Sequence, residues 1–252
     1  MATSKYFTVT VKPTIAASAQ HASFSNNDLL FDWTAFEIPK GSAKLVNATV
    51  LVRPKGDSSP TANDNAIGLV FSSSNTQSLG SANGAITNAP SNDFLGAVEF
   101  AANSYTPVSF NSTVVGTLGR GSGDTEIPMA PLVLTPNVNA LSTTTSGYDT
   151  LYLGGFCADA NTDFTSILVV SDADIASAAH TTIVTAGSSM DNREHFIAGD
   201  VIHAQDDAVV GTLDSVAESA ITLTSELGTS VLTNGDTLYN IHPIRIILQF
   251  ER

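Results

Sequence analysis

Charge is scarce in this chain of 252 residues, because only 13% of them are Asp, Glu, Lys or Arg, about half the usual share. Ten bases oppose 24 acids, which gives a net charge of −14. Binding to nucleic acid or to an anionic membrane surface requires a cationic face. The composition therefore predicts neither a nucleic-acid partner nor a membrane partner, and it leaves solubility to acidic groups and to neutral Ser, Thr and Asn side chains.

Cysteine is almost absent, since Cys157 is the only one. An intramolecular disulfide is impossible, which excludes a disulfide-stapled secreted domain. A reactive thiolate needs a neighbouring cation, and no basic residue lies near Cys157 in the sequence. The run L-Y-L-G-G-F that precedes it is typical of a strand. We therefore expect Cys157 to behave as a small buried hydrophobic residue.

Long hydrophobic runs are also missing. No apolar segment approaches the roughly 20 residues that a spanning helix needs. The beginning of the chain, M-A-T-S-K-Y-F-T-V-T-V-K, lacks the apolar region of a signal peptide. We expect a protein that is synthesised in a cytoplasm and does not follow the standard export route.

The sequence contains neither a P-loop nor a G-x-S-x-G nucleophile motif. The loop G-R-G-S-G at 119–123 superficially resembles a phosphate cradle. It lacks the helix that would aim backbone N–H groups at an anion, so we interpret it as a loop tip. The sequence predicts no catalytic residue and no cofactor.

Three of the five histidines, His195, His203 and His242, fall in or beside one segment that also contains Asp200. Three histidines can form a zinc site, so a metal site at this place is one interpretation. None of them belongs to an H-x-H or H-x-x-x-H pair, and surface or interface histidines are the favoured alternative. We therefore predict no metal site.

The acidic residues do not form a calcium-binding frame of the EF-hand type. Asp172 and Asp174 are interpreted as charges at the N-terminus of a helix, where the helix dipole favours them. A glycosidase-like carboxylate pair stays open as an alternative, although only 7% of the residues are aromatic. The other acids considered lie at a hairpin tip, Asp206 and Asp207, or in loops: Asp57, Asp64, Asp159 and Asp163.

Alternation of apolar and polar residues predicts strands throughout the chain. Turn residues between 54 and 65 predict that the strands at 45–53 and 66–72 are antiparallel neighbours. Seven or eight short strands with long connections indicate an all-β fold, a jelly-roll-like β-sandwich. The remaining predicted strands are Tyr6–Val11, Phe31–Ile38, one or more within Tyr105–Leu118, Leu132–Leu134, Thr150–Cys157 and Ser166–Val170.

The last third of the chain shows short β-runs and a repeated Gly-Asp pair, at 199–200 and 235–236. This spacing predicts a small β-barrel at 191–242, inserted near the C-terminus of a sandwich that spans 1–190. A helix is predicted at Ser171–His180 from its alanines and its capping residues. The apolar strand at 243–252 is predicted to return to the sandwich beside Tyr6–Val11 and to complete it.

One long polar segment, 73–93, is rich in Ser, Asn and Gly. A loop of this length inside a compact domain is usually functional or wraps a neighbour. Trp33, Tyr105, Tyr148 and Tyr152 are candidate platforms for a sugar, which would make the chain a carbohydrate-binding or depolymerising module. For Trp33 a place in the core is the favoured alternative, because it alternates within an apolar strand.

The segment Phe196–Phe250 begins F-I-A-G-D-V-I-H-A-Q-D-D-A-V-V-G-T-L-D-S-V and ends N-G-D-T-L-Y-N-I-H-P-I-R-I-I-L-Q-F. It resembles the C-terminal part of structural proteins from tailed bacteriophages, particularly marine and cyanobacterial phages. The resemblance implies a non-enzymatic virion component, made in the host bacterial cytoplasm. It brings no catalytic residues with it.

The expected function is therefore that of a capsid decoration or cement protein on the capsid surface. Its expected partners are the major capsid protein and further copies of itself, as a homotrimer over lattice symmetry points. A tail, neck or fibre-associated virion component is the first alternative, and the carbohydrate-binding module is the second.

Overall fold

The computed structural model describes residues 5–55, 61–88, 91–109, 113–118, 132–137, 141–143, 145–159, 161–165, 168–171, 174–185, 191–229 and 231–252. Within these ranges the chain forms sixteen strands and one short α-helix. All strand pairs are antiparallel and fall into three sheets. The predicted all-β class is confirmed.

The first sheet contains the beginning and the end of the described chain. Its strands lie in the order β1 (Tyr6–Val11), β16 (Ile244–Glu251), β3 (Ala43–Val52), β7 (Thr113–Leu118) and β6 (Tyr105–Ser109), with β8 (Leu132–Leu134) also paired to β3. Strand β16 pairs with β1 from Tyr6 opposite Glu251 to Val11 opposite Ile246. The predicted return of the C-terminal strand to Tyr6–Val11 is thus confirmed.

The second sheet has the order β2 (Leu29–Pro39), β9 (Tyr148–Cys157), β4 (Ile67–Ser72) and β5 (Phe94–Phe100). Its ring of Phe36 stacks on Phe250 of the first sheet at 6.3 Å and meets Phe71 edge-on at 6.4 Å. The two sheets therefore share a core as a sandwich. The prediction that strands 45–53 and 66–72 are neighbours is wrong, because β3 belongs to the first sheet and β4 to the second. The turn residues between them connect the two sheets rather than close a hairpin.

Four of the strand pairs within the sandwich are nested in the sequence. The first strand pairs with the last, β1 with β16, and β2 pairs with β9. Inside these pairs, β3 pairs with β7 and β4 pairs with β5. The chain thus follows the path of one long hairpin whose arms are divided between two facing sheets.

The third sheet interrupts this path between β9 and β16. Its order is β10 (Leu168–Val169), β15 (Thr237–Asn240), β12 (Val201–Ala204), β13 (Val209–Ala217), β14 (Ala220–Leu227) and β11 (His180–Val184). In the part of the chain that the structure describes, no sheet closes into a barrel. Among the described residues, the two edges of the third sheet meet at an isolated bridge between Val170 and Thr185. Two of its strands precede residue 190, upstream of the segment predicted to form the barrel.

The helix predicted at Ser171–His180 is wrong for the residues that the structure describes there. Residues 174–177 form a turn, and His180 begins β11. The β-branched run Thr181–Val184 favours a strand, and this strand buries Ile183. A single turn of α-helix, α1 (Asn192–His195), follows later, where the carboxylate of Asp191 accepts the backbone N–H of Arg193.

The long polar loop packs on its own sandwich. Within the described residues 73–88 and 91–93, Leu79 is fully buried beside Leu29 and Val70. The indole N–H of Trp33 donates to the carbonyl of Gln77 at 2.9 Å, and the N–H of Leu79 donates to Asp32 at 2.9 Å. The loop therefore forms a second, smaller core against the outer side of the second sheet.

Candidate functional site

The histidines considered as metal ligands do not converge. A ring nitrogen of His203 lies 2.8 Å from the carbonyl of Asp207, and one of His242 lies 3.0 Å from the carbonyl of Pro13. His195 and Asp200 do lie in one buried cluster, described below. Among the described residues, no group of three or more His, Cys, Asp or Glu is arranged to hold a metal ion.

The acidic residues that the sequence singles out are placed separately. Asp207 at the β12–β13 hairpin tip accepts the backbone N–H of Ser18 at 3.0 Å, and Asp206 accepts that of Ala208 at 3.1 Å. Asp163 accepts the N–H and the hydroxyl of Thr165 at 2.8 and 2.7 Å. Asp206 and Asp163 therefore stabilise local backbone, whereas Asp207 binds backbone that is 189 positions away in the sequence. Asp64 and Asp159 are exposed and Asp174 lies in a turn; Asp57, Asp172 and the glycine loop 119–123 lie outside the described residues.

Cys157 is fully buried, as predicted. Its sulfur lies 3.2 Å from the hydroxyl of Thr162 and contacts the carbonyl of Asp159. Neither group is a cation that would stabilise a thiolate. The sulfur therefore has the surroundings of a structural residue.

The four aromatic residues considered as a sugar platform are divided between two sheets. The hydroxyl of Tyr105 in the first sheet is buried and finds no hydrogen-bond partner among the residues that the structure describes, and burial raises its pKa. Trp33 and Tyr152 belong to the second sheet, where Trp33 is half-buried beside the loop residue Leu79. Tyr148 lies at the end of β9 and is exposed. The four rings do not line one binding face.

The two Gly-Asp pairs form the same turn. In residues 197–200 the N–H of Asp200 donates to the carbonyl of Ile197, and the Asp200 carboxylate accepts the N–H of Ile197 at 3.0 Å. Residues 233–236 repeat both bonds, with the Asp236 carboxylate at 2.7 Å from the N–H of Thr233. The glycine before each aspartate has a positive φ, 87° at Gly199 and 98° at Gly235. Each turn leads into one of two paired strands, β12 and β15.

These two turns have different surroundings. Asp236 is half-buried, whereas Asp200 is only 3% exposed. Asp200 belongs to a cluster that joins the sandwich to the third sheet, and we call this cluster the polar junction. Its members are Gln20, Arg53, His195, Asp200 and Asn240, each 9% exposed or less.

Hydrogen bonds cross the polar junction from both sides. The side-chain N–H groups of Asn240 donate to the carbonyl of His195 at 2.8 Å and to the carboxylate of Asp200 at 3.0 Å. Gln20 donates to the carbonyl of Asn240 at 3.0 Å. Arg53, next to the end of β3, donates to the carbonyl of Glu194 at 3.2 Å and lies 3.9 Å from the Asp200 carboxylate. The sandwich therefore holds the third sheet partly through buried polar groups.

The charges of the polar junction are only partly balanced. Burial lowers the pKa of Arg53, while the nearby Asp200 carboxylate acts in the opposite direction. His195 is fully buried, and neither of its ring nitrogens has a hydrogen-bond partner among the described residues. Burial, together with the charge of Arg53, lowers the pKa of His195 to about 4. The imidazole is therefore neutral at neutral pH.

Sequence reasoning found His195 and Asp200 but missed the other three members. Gln20 precedes an ordinary polar loop, and nothing nearby in the sequence marks it as buried. Arg53 and Asn240 each end an apolar run, V-L-V-R and L-Y-N. A polar residue at the end of a buried strand is the one signal in the sequence by which Arg53 and Asn240 could have been identified.

A groove runs between two strands that each lie at an edge of a sandwich sheet, β1 and β2. Its volume is about 530 Å³. Strand β1 has no charged residue and no proline between Tyr6 and Val11, features that usually prevent an edge from pairing with another chain. We call this the edge groove; its lining residues are Phe7, Thr8, Val9, Thr10, Ala35, Phe36, Glu37, Pro39, Thr145 and Tyr148.

The single carboxylate of the edge groove is already engaged. Glu37 accepts the hydroxyl of Thr145 at 2.6 Å and contacts the hydroxyl of Ser142. At the end of β1, Lys5 lies 2.6 Å from Glu251. The edge groove therefore offers backbone and apolar surface with little unbalanced charge.

No helix in the described ranges is long and apolar enough to cross a membrane. Comparison with known proteins gives no match, either to a protein-family profile or to a curated protein.

Proposed function

We propose that the sandwich is a jelly roll and that the third sheet is a small barrel-like module inserted before its last strand. The nested pairing of β1 with β16, β2 with β9, β3 with β7 and β4 with β5 supports the first part, since a jelly roll is a long antiparallel hairpin rolled into two sheets. The bridge between Val170 and Thr185, where the edges of the third sheet meet, supports the second part.

We infer that the chain is a structural protein of a tailed-phage virion, a decoration or cement protein that binds the lattice of the major capsid protein. The nested strand pairing carries this proposal, because viral capsid proteins are prominent among jelly rolls. The resemblance of Phe196–Phe250 to phage structural proteins supports the same conclusion. The function needs no reaction, so the protein acts without a catalytic residue or cofactor.

The edge groove is the proposed site of attachment to the major capsid protein. An extended segment of that partner adds as a strand to β1, whose backbone provides hydrogen bonds while Phe7 and Val9 provide apolar contact. Each such contact is weak, but a lattice repeats it many times, and a homotrimer on a lattice symmetry point binds with three copies at once.

The copy number in purified virions tests this function. Quantitative mass spectrometry with isotope-labelled peptides of this chain should find hundreds of copies per particle, on the capsid surface. A copy number of tens at most would overturn the decoration role in favour of a tail, neck or fibre component. Absence from the particle together with strong binding on a glycan array would overturn the virion role altogether.

A matched pair of variants tests the attachment site. Thr8→Lys places a charge in the edge groove at an exposed position of β1, whereas Thr224→Lys places the same charge at an exposed position of β14. Purified variants are added to heads that lack the protein. Thr8→Lys should reduce bound protein at least tenfold, because a charge on an edge strand opposes strand addition, and Thr224→Lys should bind normally. Equal binding of both variants would exclude the edge groove as the attachment site.

A further inference from the structure

The polar junction contains a buried histidine whose imidazole ring has no hydrogen-bond partner in the described part of the chain. The ring of His195 is fully buried, and both of its nitrogens lack a hydrogen-bond partner among the described residues. Buried polar groups are nearly always paired. An unpaired imidazole at the contact between two parts of a fold is therefore unusual and calls for a role.

The groups around this imidazole are poorly arranged to receive a second positive charge. The charge of Arg53, from the sandwich, lowers the pKa of His195, and Arg245 on β16 lies close enough to Arg53 to lower the pKa of Arg53 in turn. On the side of the third sheet, the Asp200 carboxylate already accepts the N–H of Ile197 and a side-chain N–H of Asn240.

The remaining charged groups belong to α1 and its neighbours. Asp191, which favours the charged imidazole, is bound to Arg193 through two carboxylate contacts at 2.8 and 3.0 Å. Arg193 also lies 3.8 Å from Glu218, at the β13–β14 turn. Glu194 contributes its backbone carbonyl to Arg53. A ring nitrogen of His242, on the connection to β16, lies 3.0 Å from the carbonyl oxygen of Pro13. None of these contacts provides His195 with a carboxylate of its own.

We propose that the polar junction is an acid-responsive link, in which protonation of His195 places an uncompensated charge beside Arg53 and detaches the third sheet from the sandwich. The link acts within one chain and does not depend on the proposed virion role. It would make the attachment of the third sheet tight at neutral pH and loose in acid.

Proton linkage determines whether a fall in pH stabilises or destabilises the closed junction. In the closed junction the pKa of His195 is about 4, below its ordinary value of 6.5. The opened junction therefore binds the proton more readily, so the closed state is most stable above pH 6.5 and loses stability as the pH falls from there towards 4. For these two values, the opening equilibrium constant should rise about 30-fold between pH 7.5 and pH 5.

Hydrogen–deuterium exchange of the intact chain, corrected for the intrinsic effect of pH, tests the proposal. The informative amides donate from the sandwich side to the third sheet: Ile15 donates to the carbonyl of Ile241, and Ser18 donates to the carboxylate of Asp207. Their protection should fall about 30-fold between pH 7.5 and pH 5, while amides in the core of β3 and β9 keep theirs. Equal loss of protection in the sandwich core would mean global unfolding and would overturn the proposal.

Variants separate His195 from other titrating groups. His195→Phe and His195→Gln cannot take up the proton, so their junction amides should show no pH effect. His203→Gln is the matched control, because His203 lies in β12 of the same sheet and contacts the Asp207 carbonyl; it should behave as wild type. If either folded His195 variant keeps the wild-type response, the proposal is wrong.

Should both variants fail to fold, the wild-type protein still decides the matter. The imidazole C–H resonances of His195, followed by NMR, should titrate below pH 5, where the loss of junction protection that begins near pH 6.5 levels off. Titration near the ordinary value with the junction closed would show that the ring accommodates the charge, which would also overturn the proposal.

Discussion

The sandwich and the third sheet fill their hydrophobic cores with different residue types. The sandwich core is built on phenylalanine, and the side chains of Phe31, Phe36, Phe71, Phe100 and Phe250 are all 5% exposed or less. The third sheet is filled mainly by Ile and Leu, with Phe196 as its one fully buried phenylalanine among the described residues. Two facing sheets lie about 10 Å apart and need large side chains between them. A single sheet whose two edges meet at the bridge between Val170 and Thr185 encloses less space.

The two regions also differ in charge. The segment 191–242 contains nine acids and one base, Arg193, and thus contributes −8 of the net charge of −14 in about a fifth of the chain. The comparison shows that more than half of the net negative charge lies in the segment 191–242, which is the smaller of the two regions. Like charges repel and destabilise a compact state, so this segment depends on the polar junction and on local turns. The following variants test whether the regions differ in this way.

Deletion of residues 244–252 should have the largest effect. Strand β16 lies between β1 and β3, and Ile244, Ile246, Leu248 and Phe250 are all fully buried. We expect the sandwich to lose its cooperative thermal transition, measured by circular dichroism. Deletion of Arg252 alone should leave the transition in place. A folded 1–243 fragment would contradict the role assigned to this strand.

Phe250→Ala should destabilise the protein by about 3–5 kcal/mol, the usual range for a buried phenylalanine. The ring stacks on Phe7 at 5.2 Å and on Phe36 at 6.3 Å, so its removal leaves a cavity between the sheets. Leu238→Ala, at a fully buried site of the third sheet, should cost less, about 2–3 kcal/mol. Urea unfolding followed by tryptophan fluorescence measures both. A larger effect at Leu238 would reverse the proposed difference between the cores.

Asp200→Ala should destabilise the protein by about 3 kcal/mol, because it leaves the buried guanidinium of Arg53 without a carboxylate. Asp236→Ala removes the same turn contact at a half-buried site and should cost about 1 kcal/mol. The two turns match in geometry, so the difference between the variants measures the polar junction. Equal values in urea unfolding would show that Asp200 acts through its turn alone.

Gly235→Ala should have the smallest effect, about 1 kcal/mol. The glycine has a φ of 98°, but a Cβ added there meets nothing within 4 Å, so the change brings backbone strain without a clash. In the sandwich, a Cβ on Gly155 would lie 2.1 Å from the ring of Phe31. Gly155→Ala should therefore lower the melting temperature more than Gly235→Ala; the opposite order would contradict the tighter packing of the sandwich.

The sequence predicted most strands, because alternation of apolar and polar residues is a local property. It also placed β16 beside β1, since the termini of a domain often lie close together. It failed where pairing depends on distant residues. Strands β3 and β4 follow one another in the chain yet lie in different sheets. No local sequence pattern distinguishes the turn of a hairpin from a connection that passes from one sheet to the other.

Other misses have equally local causes. The strand β5 was overlooked because its burial alternates weakly, with Phe94 49% exposed. Alanines at 176–179 suggested a helix, but the β-branched residues after His180 decided the structure in favour of β11. At the polar junction, Gln20 joins Asn240 across 220 positions of sequence. A contact at such a distance cannot be inferred from either residue alone.

The register of β1 on β16 has a mechanical consequence. Tyr6 at the beginning of β1 lies opposite Glu251 at the end of β16, and hydrogen bonds in an antiparallel pair run perpendicular to the strands. A force that pulls these two residues apart therefore loads the bonds one pair after another, as in unzipping, rather than all at once in shear. Strand β1 would peel away first while β16 stays held by β3, so tension on these ends would uncover a fresh strand edge without dismantling the rest of the fold.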